Sequence, residues 1–522
     1  MKLVTAQQMA NIDRRAIEEF GVPGIQLMER AGEGVFNLIK EVVGEVKGKE
    51  IGVFCGKGNN GGDGFVTARL LHQDGASVLV LLLGRKDDLR GDAEINLKKT
   101  LDLEIQVTEV LNEDDLSSVK EVLRSAELIV DALFGTGMRG VVKGLAASVI
   151  EMINNSSKPV ISVDVPSGLS ADGGQISGSC IQAMATATFG LPKVGQVFYP
   201  GKSRCGRLKI VDIGIPAEAV DQEGCRANLI MEGDVARLLP RRKPDVHKGD
   251  CGRIIVVAGS VGMTGAAALT SMAALRIGAG LVTLGVPASL NDILEVKLTE
   301  VMTRPLPEVR KRRCIALRAV GEIRRLLDGA DCLAIGPGLG IHHETSELVR
   351  RIVKEASLPI VIDADGLNAL AKDLSPLKDT AAEVVVTPHP GELSRITGRP
   401  VSEIASDPVM AATEFSGEFG VVVVLKGAPT VIAGPDGEFY VNWTGNAGMA
   451  TGGSGDVLTG SIAGLIGQGL SPREASITAV FLHGKAGDIA RDRKGEMGLV
   501  AGDILDLLPE AVIRVAEHNR RG

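Results

Sequence analysis

Ile51-Gly52-Val53-Phe54-Cys55-Gly56-Lys57-Gly58-Asn59-Asn60-Gly61-Gly62-Asp63-Gly64 reads as a short apolar strand running into a glycine-rich turn, with helical spacing resuming over residues 65–71. A strand, glycine turn and helix in that order leave unpaired backbone N–H groups at the helix start, where a phosphate can be received. The stretch contains G-x-G-x-x-G. The acid expected about 20 residues further on in a dinucleotide dehydrogenase is absent, however, and Arg85 follows the next strand instead. An ordinary dehydrogenase is therefore not expected. The bland alternative is a turn whose glycines serve only tight strand-to-helix packing.

Working outward, short β-branched runs at residues 51–55, 77–83, 127–130 and 160–163 alternate with helix-length segments, and a second series follows at 253–258, 281–286, 331–335, 359–362, 384–387 and 421–425. Near-continuous apolar strands separated by helices predict parallel sheets covered on both faces. The fold class is α/β, as two three-layer αβα domains, and the first is Rossmann-like. The boundary is expected in the mixed polar stretch after Val211, giving domains 1–216 and 228–522. No close tandem repeat relates the halves.

The 522 residues are 44% hydrophobic and 23% charged with a formal net charge of -8, which fits folded α/β domains and excludes the basic face a nucleic-acid partner requires. No apolar run approaches the ~20 residues of a membrane helix, and the first residues have no signal-peptide core, so we expect a cytoplasmic protein without a membrane partner. Seven cysteines without a Cys-x-x-Cys pair read as buried thiols. The apolar helices lead us to expect a homo-oligomer.

Polar residues at strand ends supply the candidate chemistry. Asp131 to Gly137 and Asp164-Val165-Pro166-Ser167-Gly168 follow two strands of the first half, and ligands of open parallel sheets bind beyond the carboxyl ends of strands. Asp164 is either a proton shuttle or a turn cap. The run 195–203 looks like a P-loop but carries one residue too many between its glycines. In the second half, Asn446 to Asp456 places small residues and an aspartate before a helix, which suits an anion beside an acid or base. Lys426 to Thr430 closes a strand with a cation and a tight turn. His389 and Glu392 are too few for zinc and suggest a substrate-positioning loop. Asp363 and Asp365 could equally be turn formers, and no catalytic role is assigned to either.

Residues 59–64, 131–137, 163–168 and Thr188-Phe189-Gly190-Leu191-Pro192-Lys193 resemble, in the same order, the NAD(P)H-hydrate epimerase family. That resemblance implies hydrate contacts from Asn59, Asn60, Gly61, Gly62 and Asp63, and from Gly135, Thr136, Gly137, Met138, Arg139, Gly140 and Val141. It also implies a potassium ion on Asn60, Asp131 and Ser167, and Asp164 as catalytic acid/base. The anion hole with its aspartate resembles the ribokinase-like fold, which keeps a small-molecule kinase in play. The wider set, Lys248 to Gly252, Gly259 to Gly265, Gly336 to Gly340, Thr387 to Glu392 and Asn446 to Asp456, is more similar to the ADP-dependent NAD(P)H-hydrate dehydratases. That family implies Ala266, Gly338, His389 and Asp456 on the hydrate, and Lys426, Gly427, Ala428, Pro429, Thr430 and Gly455 on ADP. Magnesium would accompany the nucleotide, and Asp456 would be catalytic. The expected activity is repair of hydrated NADH and NADPH, by an isomerase half and a lyase half.

Overall fold

The computed structural model describes residues 1–138, 140–176 and 178–521, and divides into two compact units, Met1–Ala227 and Asn228–Gly522. In the first unit the apolar runs become β1 (Glu50–Cys55), β2 (Ser77–Leu82), β3 (Gln106–Glu109), β4 (Leu128–Ala132), β5 (Val160–Val163), β6 (Ala185–Phe189) and β7 (Arg207–Val211). They form one sheet in the order β3-β2-β1-β4-β5-β6-β7, parallel throughout. That is the doubly wound order of a dinucleotide-binding sheet with one strand added, and its direction of winding reverses between β1 and β4. The loops after those two strands diverge there and leave a crevice.

Side chains alternate across β1, so Ile51, Val53 and Cys55 join the core under helices Gly24–Val43 and Asn59–Gln73, while Phe54 joins the opposite core under helices Leu116–Ser125 and Leu145–Asn155. Both faces of the sheet are thus buried, which explains the uninterrupted apolar character of the strands. Residues 217–227 also fold within this unit: Ala219 and Cys225 pack on Val4, Met9 and Ile12 of the first helix region.

The second unit contains β8 (Ala227–Leu229), β9 (Arg253–Val257), β10 (Leu281–Pro287), β11 (Met302–Leu306), the short antiparallel pair β12 (Glu308–Val309) and β13 (Cys314–Ile315), then β14 (Cys332–Ile335), β15 (Ile360–Ile362), β16 (Val384–Val386), β17 (Val422–Leu425), β18 (Thr430–Ala433) and β19 (Phe439–Asn442). The main sheet runs β11-β10-β9-β14-β15-β16-β17-β18-β19-β8. It is parallel from β11 to β17 and antiparallel from β17 to β19. The winding again reverses at its first strand, between β9 and β14. Ile254 and Val256 face one large core while Ile255 and Val257 are buried on the other side. That core is closed by helices Thr264–Arg276, Ser454–Gly467, Pro472–Lys494 and Ala501–Arg521.

Two sequence boundaries shift. The helix expected from Phe65 begins at Asn59, and the helix expected from Val457 begins at Ser454. In both places the glycines are inside the first turns, because they let the helix approach its neighbours. A Cβ at Gly61 would lie 1.9 Å from Gly56 O, and one at Gly64 2.6 Å from Ala132 Cβ. A Cβ at Gly460 would lie 2.0 Å from Thr270 O, so the second of these helices lies flush on helix Thr264–Arg276. All seven cysteines are buried thiols, as the spacing predicted.

Candidate active sites

In the first unit a cavity of about 1210 Å³ opens at the carboxyl ends of β1, β4 and β5. Of the residues expected to meet the hydrate, Asn59, Asn60, Asp63, Gly135, Thr136, Gly137, Met138, Val141 and Asp164 line it. Gly61, Gly62 and Gly140 do not, Gly61 and Gly62 being turned into the packing beneath. Arg139 lies outside the described residues. Gly58 caps the helix without a side-chain hydrogen bond, so its first amides remain directed at whatever occupies the cavity mouth.

Asp164 stands just beyond β5 in a left-handed backbone conformation, φ 61°, which an aspartate tolerates better than most residues and which marks a constrained site. Its Oδ1 accepts hydrogen bonds from Lys193 Nζ at 2.5 Å, Thr188 Oγ1 at 3.2 Å and Phe189 N at 3.3 Å, and Gln196 Nε2 donates to its carbonyl at 2.7 Å. Lys193 is 1% exposed, so this is a buried ion pair. Two further carboxyl groups share the cavity. Burial, then the charge of Asp164, pushes Asp63 well above the usual carboxylate range. Asp13, on helix Ala6–Glu18, is raised to about 6 by burial, with Asp164 adding to the rise and Lys193 opposing it.

Asp131 and Ser167 are brought together behind this cavity. The Asp131 carboxylate is fully buried and accepts from Ser167 N at 2.9 Å, Ser167 Oγ at 2.5 Å and Ser162 Oγ at 2.8 Å. Burial raises its pKa and these hydrogen bonds oppose the rise. Ser167 Oγ also accepts from Phe134 N at 2.9 Å. Asn60 is the third expected ligand; its Nδ2 is buried without a partner.

In the second unit the loops after β9, β14, β15, β16 and β17 converge. Gly338 (φ 63°) tucks under the start of helix Thr264–Arg276, where an added Cβ would stand 3.1 Å from Ala266 Cβ, so these two expected hydrate contacts are neighbours. His389 caps helix Pro390–Thr397: its Nδ1 accepts from Gly391 N at 3.0 Å, and Glu392 returns a bond to His389 N at 2.9 Å. The reciprocal capping box explains the His-Pro-Gly-Glu order, and it aims Glu392 toward Lys426, 3.7 Å away.

Lys426 follows β17 and pairs with Asp363 Oδ1 at 2.6 Å. Burial lowers the pKa of its ammonium, but Asp363 and Glu392 outweigh that and leave it raised. Asp363, given no role from sequence, is 1% exposed and held from its other side by Thr459 Oγ1 at 2.8 Å. A Cβ on Gly455 would lie 3.3 Å from Lys426 Nζ, which puts the ammonium directly over the uncapped start of helix Ser454–Gly467. Gly427, Ala428, Pro429 and Thr430 form the turn into β18, closed by Thr430 Oγ1 donating to Gly427 O at 3.1 Å. Asp456 sits in that first helical turn with its pKa raised to about 7, through burial first and the Asp363 charge second, with Lys426 opposing. Beneath it His483, lowered to about 4 mainly by burial, is neutral at neutral pH and donates from Nε2 to Ser454 O at 3.0 Å.

Sequence reasoning missed Asp13, Lys193, Asp363, Thr459 and His483 as site residues. Asp13 was legible in principle, since Met9, Ile12 and Ala16 mark the buried face on which it also lies. Asp363 and Lys426 meet across 63 residues of sequence, a pairing no local pattern reveals.

A sheet that reverses direction, an uncapped helix start and a buried carboxyl cluster occur twice, which is the arrangement of two α/β units that each carry a candidate ligand site at the carboxyl ends of their strands. A family model described as NAD(P)H-hydrate dehydratase matches residues 254–510, and one described as YjeF-related protein N-terminus matches residues 24–195. The chain is 46% identical over 519 residues to the bifunctional NAD(P)H-hydrate repair enzyme Nnr of Moorella thermoacetica, covering 99% of this chain and 98% of that one. It is 34% identical over 507 residues to the enzyme of the same name from Escherichia coli, covering 96% and 92%. Among solved structures it is similar to the ADP/ATP-dependent NAD(P)H-hydrate dehydratase of Bacillus subtilis co-crystallised with ATP and Mg2+, at 32% identity and a TM-score of 0.49, covering 55% of this chain and 98% of that one. This chain belongs to the bifunctional NAD(P)H-hydrate repair enzyme family.

Proposed function

We infer that the first unit interconverts the R and S hydrates of NADH and NADPH, and that the second removes water from the S hydrate with ADP, restoring NAD(P)H. The observation that carries the reading is the pair of separate buried carboxylate–lysine clusters, Asp164 with Lys193 and Asp456 with Lys426 and Asp363, in one chain of this family. One cluster alone would serve a single activity.

In the hydrate the hydroxyl is on the ring carbon beside nitrogen, so the nitrogen lone pair can expel it once it becomes a better leaving group, and loss of a proton from the neighbouring ring carbon then restores the dihydropyridine. A bound nucleotide supplies a phosphoryl group for that purpose. Lys426 and the open amides of Gly455 and Asp456 would hold its phosphates, a reading supported by Gly455, where a side chain would fill the space under the ammonium. Asp456 takes the proton from the substrate hydroxyl, a task suited to a carboxyl tuned close to neutrality. Magnesium would ride on the phosphates, since it commonly uses only one or two carboxylates. Among the described residues the compact ligand group is His342, His343 and Glu344, whose imidazoles suit it poorly.

In the first unit Asp164 is the base that takes and returns the hydroxyl proton. Potassium fits Asn60, Asp131 and Ser167: all offer oxygen, and the partners of the buried Asp131 carboxylate are hydroxyls and amides rather than a basic side chain. The ion would neutralise that carboxylate and fix the β4 loop. Replacing Asp456 with Asn should abolish dehydration and spare epimerisation, and Asp164→Asn should do the reverse. Equal loss of both activities in either variant contradicts the assignment.

A further inference from the structure

A single base does not complete an epimerisation at a carbon that bears both a hydroxyl and a ring nitrogen. Opening the ring requires a proton to leave the oxygen and another to arrive at the nitrogen, and reclosure requires the reverse. The cavity of the first unit holds a group placed for the second task. Asp13 lines the same cavity as Asp63, Asp164 and Lys193. Its Oδ1 is buried and has no hydrogen-bond partner, although buried carboxylate oxygens are normally satisfied. Helix Ala6–Glu18, which carries it, is fixed from both ends: Thr5 and Gln8 form a reciprocal cap, and Arg15 and Asn11 bind Glu223 at 2.6 and 3.0 Å. Asp13 is therefore held on the cavity lining, its side chain partly exposed there and its buried Oδ1 without a partner.

We propose that Asp13 is the second proton-transfer residue of epimerisation, serving the ring nitrogen while Asp164 serves the hydroxyl. The inference rests on the epimerase reading of the first unit. Asp164 takes the hydroxyl proton, the oxygen electrons form the carbonyl, the carbon–nitrogen bond breaks, and its electron pair passes to nitrogen, which receives the Asp13 proton. The open-chain aldehyde turns its other face toward the nitrogen. The nitrogen attacks and returns its proton to Asp13, and Asp164 reprotonates the oxygen. Every atom and charge is restored; only configuration changes, and no oxidant or reductant is used.

The charged surroundings separate the two carboxyls. Lys193 binds Asp164 directly and reaches Asp13 only through space, while burial and the Asp164 charge favour the protonated form of Asp13. Asp63 faces the same group from helix Asn59–Gln73, and burial pushes its carboxyl well above the usual carboxylate range. The other charged residues lining the cavity are Lys57, Arg85, Asp88, Asp92 and Lys143, and Glu223 approaches the same helix beside Arg15.

The test uses the full chain, purified R hydrate and no nucleotide, following conversion to S hydrate by chromatography. Asp13→Asn should lower kcat roughly a hundredfold or more with KM changed less than about threefold. The fall in wild-type kcat above about pH 6, where Asp13 loses its proton, should disappear. Asp13→Glu should regain part of the rate. Hydrate binding by Asp13→Asn, measured by calorimetry, shows that the cavity is intact; if that variant does not bind, the Asp13→Glu profile decides. A variant within about threefold of wild type, or one that keeps the high-pH fall, overturns the proposal, as does a fall that disappears in Asp63→Asn but not in Asp13→Asn. Wild-type protein that dehydrates S hydrate yet fails to convert R hydrate would instead overturn the epimerase reading itself.

Discussion

The pH dependence of dehydration follows directly from the environment of Asp456. An ordinary aspartate is ionised throughout the neutral range, whereas Asp456 is raised from 3.8 to about 7. A shift of that size favours the protonated form by roughly 4 kcal/mol. Burial supplies most of it and the neighbouring Asp363 charge adds to it; Lys426 partly offsets both. If Asp456 must be ionised to accept the hydroxyl proton, the rate rises with pH. The ionised fraction is about one half at pH 7 and roughly a hundredth at pH 5. The charge of bound phosphates raises the midpoint, and the accompanying magnesium offsets part of that rise. The assay is kcat at saturating S hydrate and ADP, read from the returning near-ultraviolet absorbance of the dihydronicotinamide. We expect an ascending limb with its midpoint at about 7 or above and a slope of about tenfold per pH unit below it. A flat profile across that range, or one that falls as pH rises, would refute Asp456 as the base.

Lys426→Met removes the ammonium that lowers the Asp456 pKa, so any residual dehydration should titrate at higher pH than wild type, and nucleotide KM should rise at least tenfold, the scale of a lost charge-assisted phosphate contact. Gly455→Ala puts a methyl 3.3 Å from Lys426 Nζ; thermal unfolding should change little while nucleotide KM rises severalfold, as initial-rate titration with ADP would show. Ser167→Ala deletes the hydroxyl that donates to Asp131 and accepts from Phe134 N, which should cost about 1–3 kcal/mol in denaturant unfolding of the first unit and remove any potassium stimulation of epimerisation. Gly56→Ala places a Cβ 1.9 Å from Leu133 O, a backbone clash that cannot be relieved by a rotamer change, so epimerisation should be lost together with the fold of the first unit, as circular dichroism would report.

Much of the fold was readable because parallel strands buried on both faces leave a plain mark in sequence. Every β-branched run singled out in the two series became a strand with ends within two residues of expectation, from β1 to β17. Among the strands outside the two series, β3 with Gln106 and Glu109 and β11 with Arg304 and Pro305 are exposed or mixed, β18 and β19 form a short antiparallel hairpin, and β6 is buried throughout but carries alanine and threonine in place of a β-branched apolar run. The glycine turns were legible as helix starts, with tight packing as the alternative reading of the first. Gly56, Gly61 and Gly64 are forced by contacts at 1.9 to 2.6 Å, so the packing is real whatever the loop binds. Single site residues at strand ends, Asp131, Asp164 and Lys426, could be seen locally. Their partners could not: Lys193 reaches Asp164 across 29 residues and Thr459 reaches Asp363 across 96, distances that only the winding of each sheet closes.

The most direct test of the account is the recovery of NADH from a defined mixture of R and S NADH hydrate, incubated with the full chain and with ADP, with ATP or with no nucleotide. The account predicts that ADP drives recovery of both epimers to completion, and that nothing is recovered without nucleotide. Recovery of the S epimer alone would contradict the first unit's assignment, and no recovery under any condition would contradict the repair function as a whole.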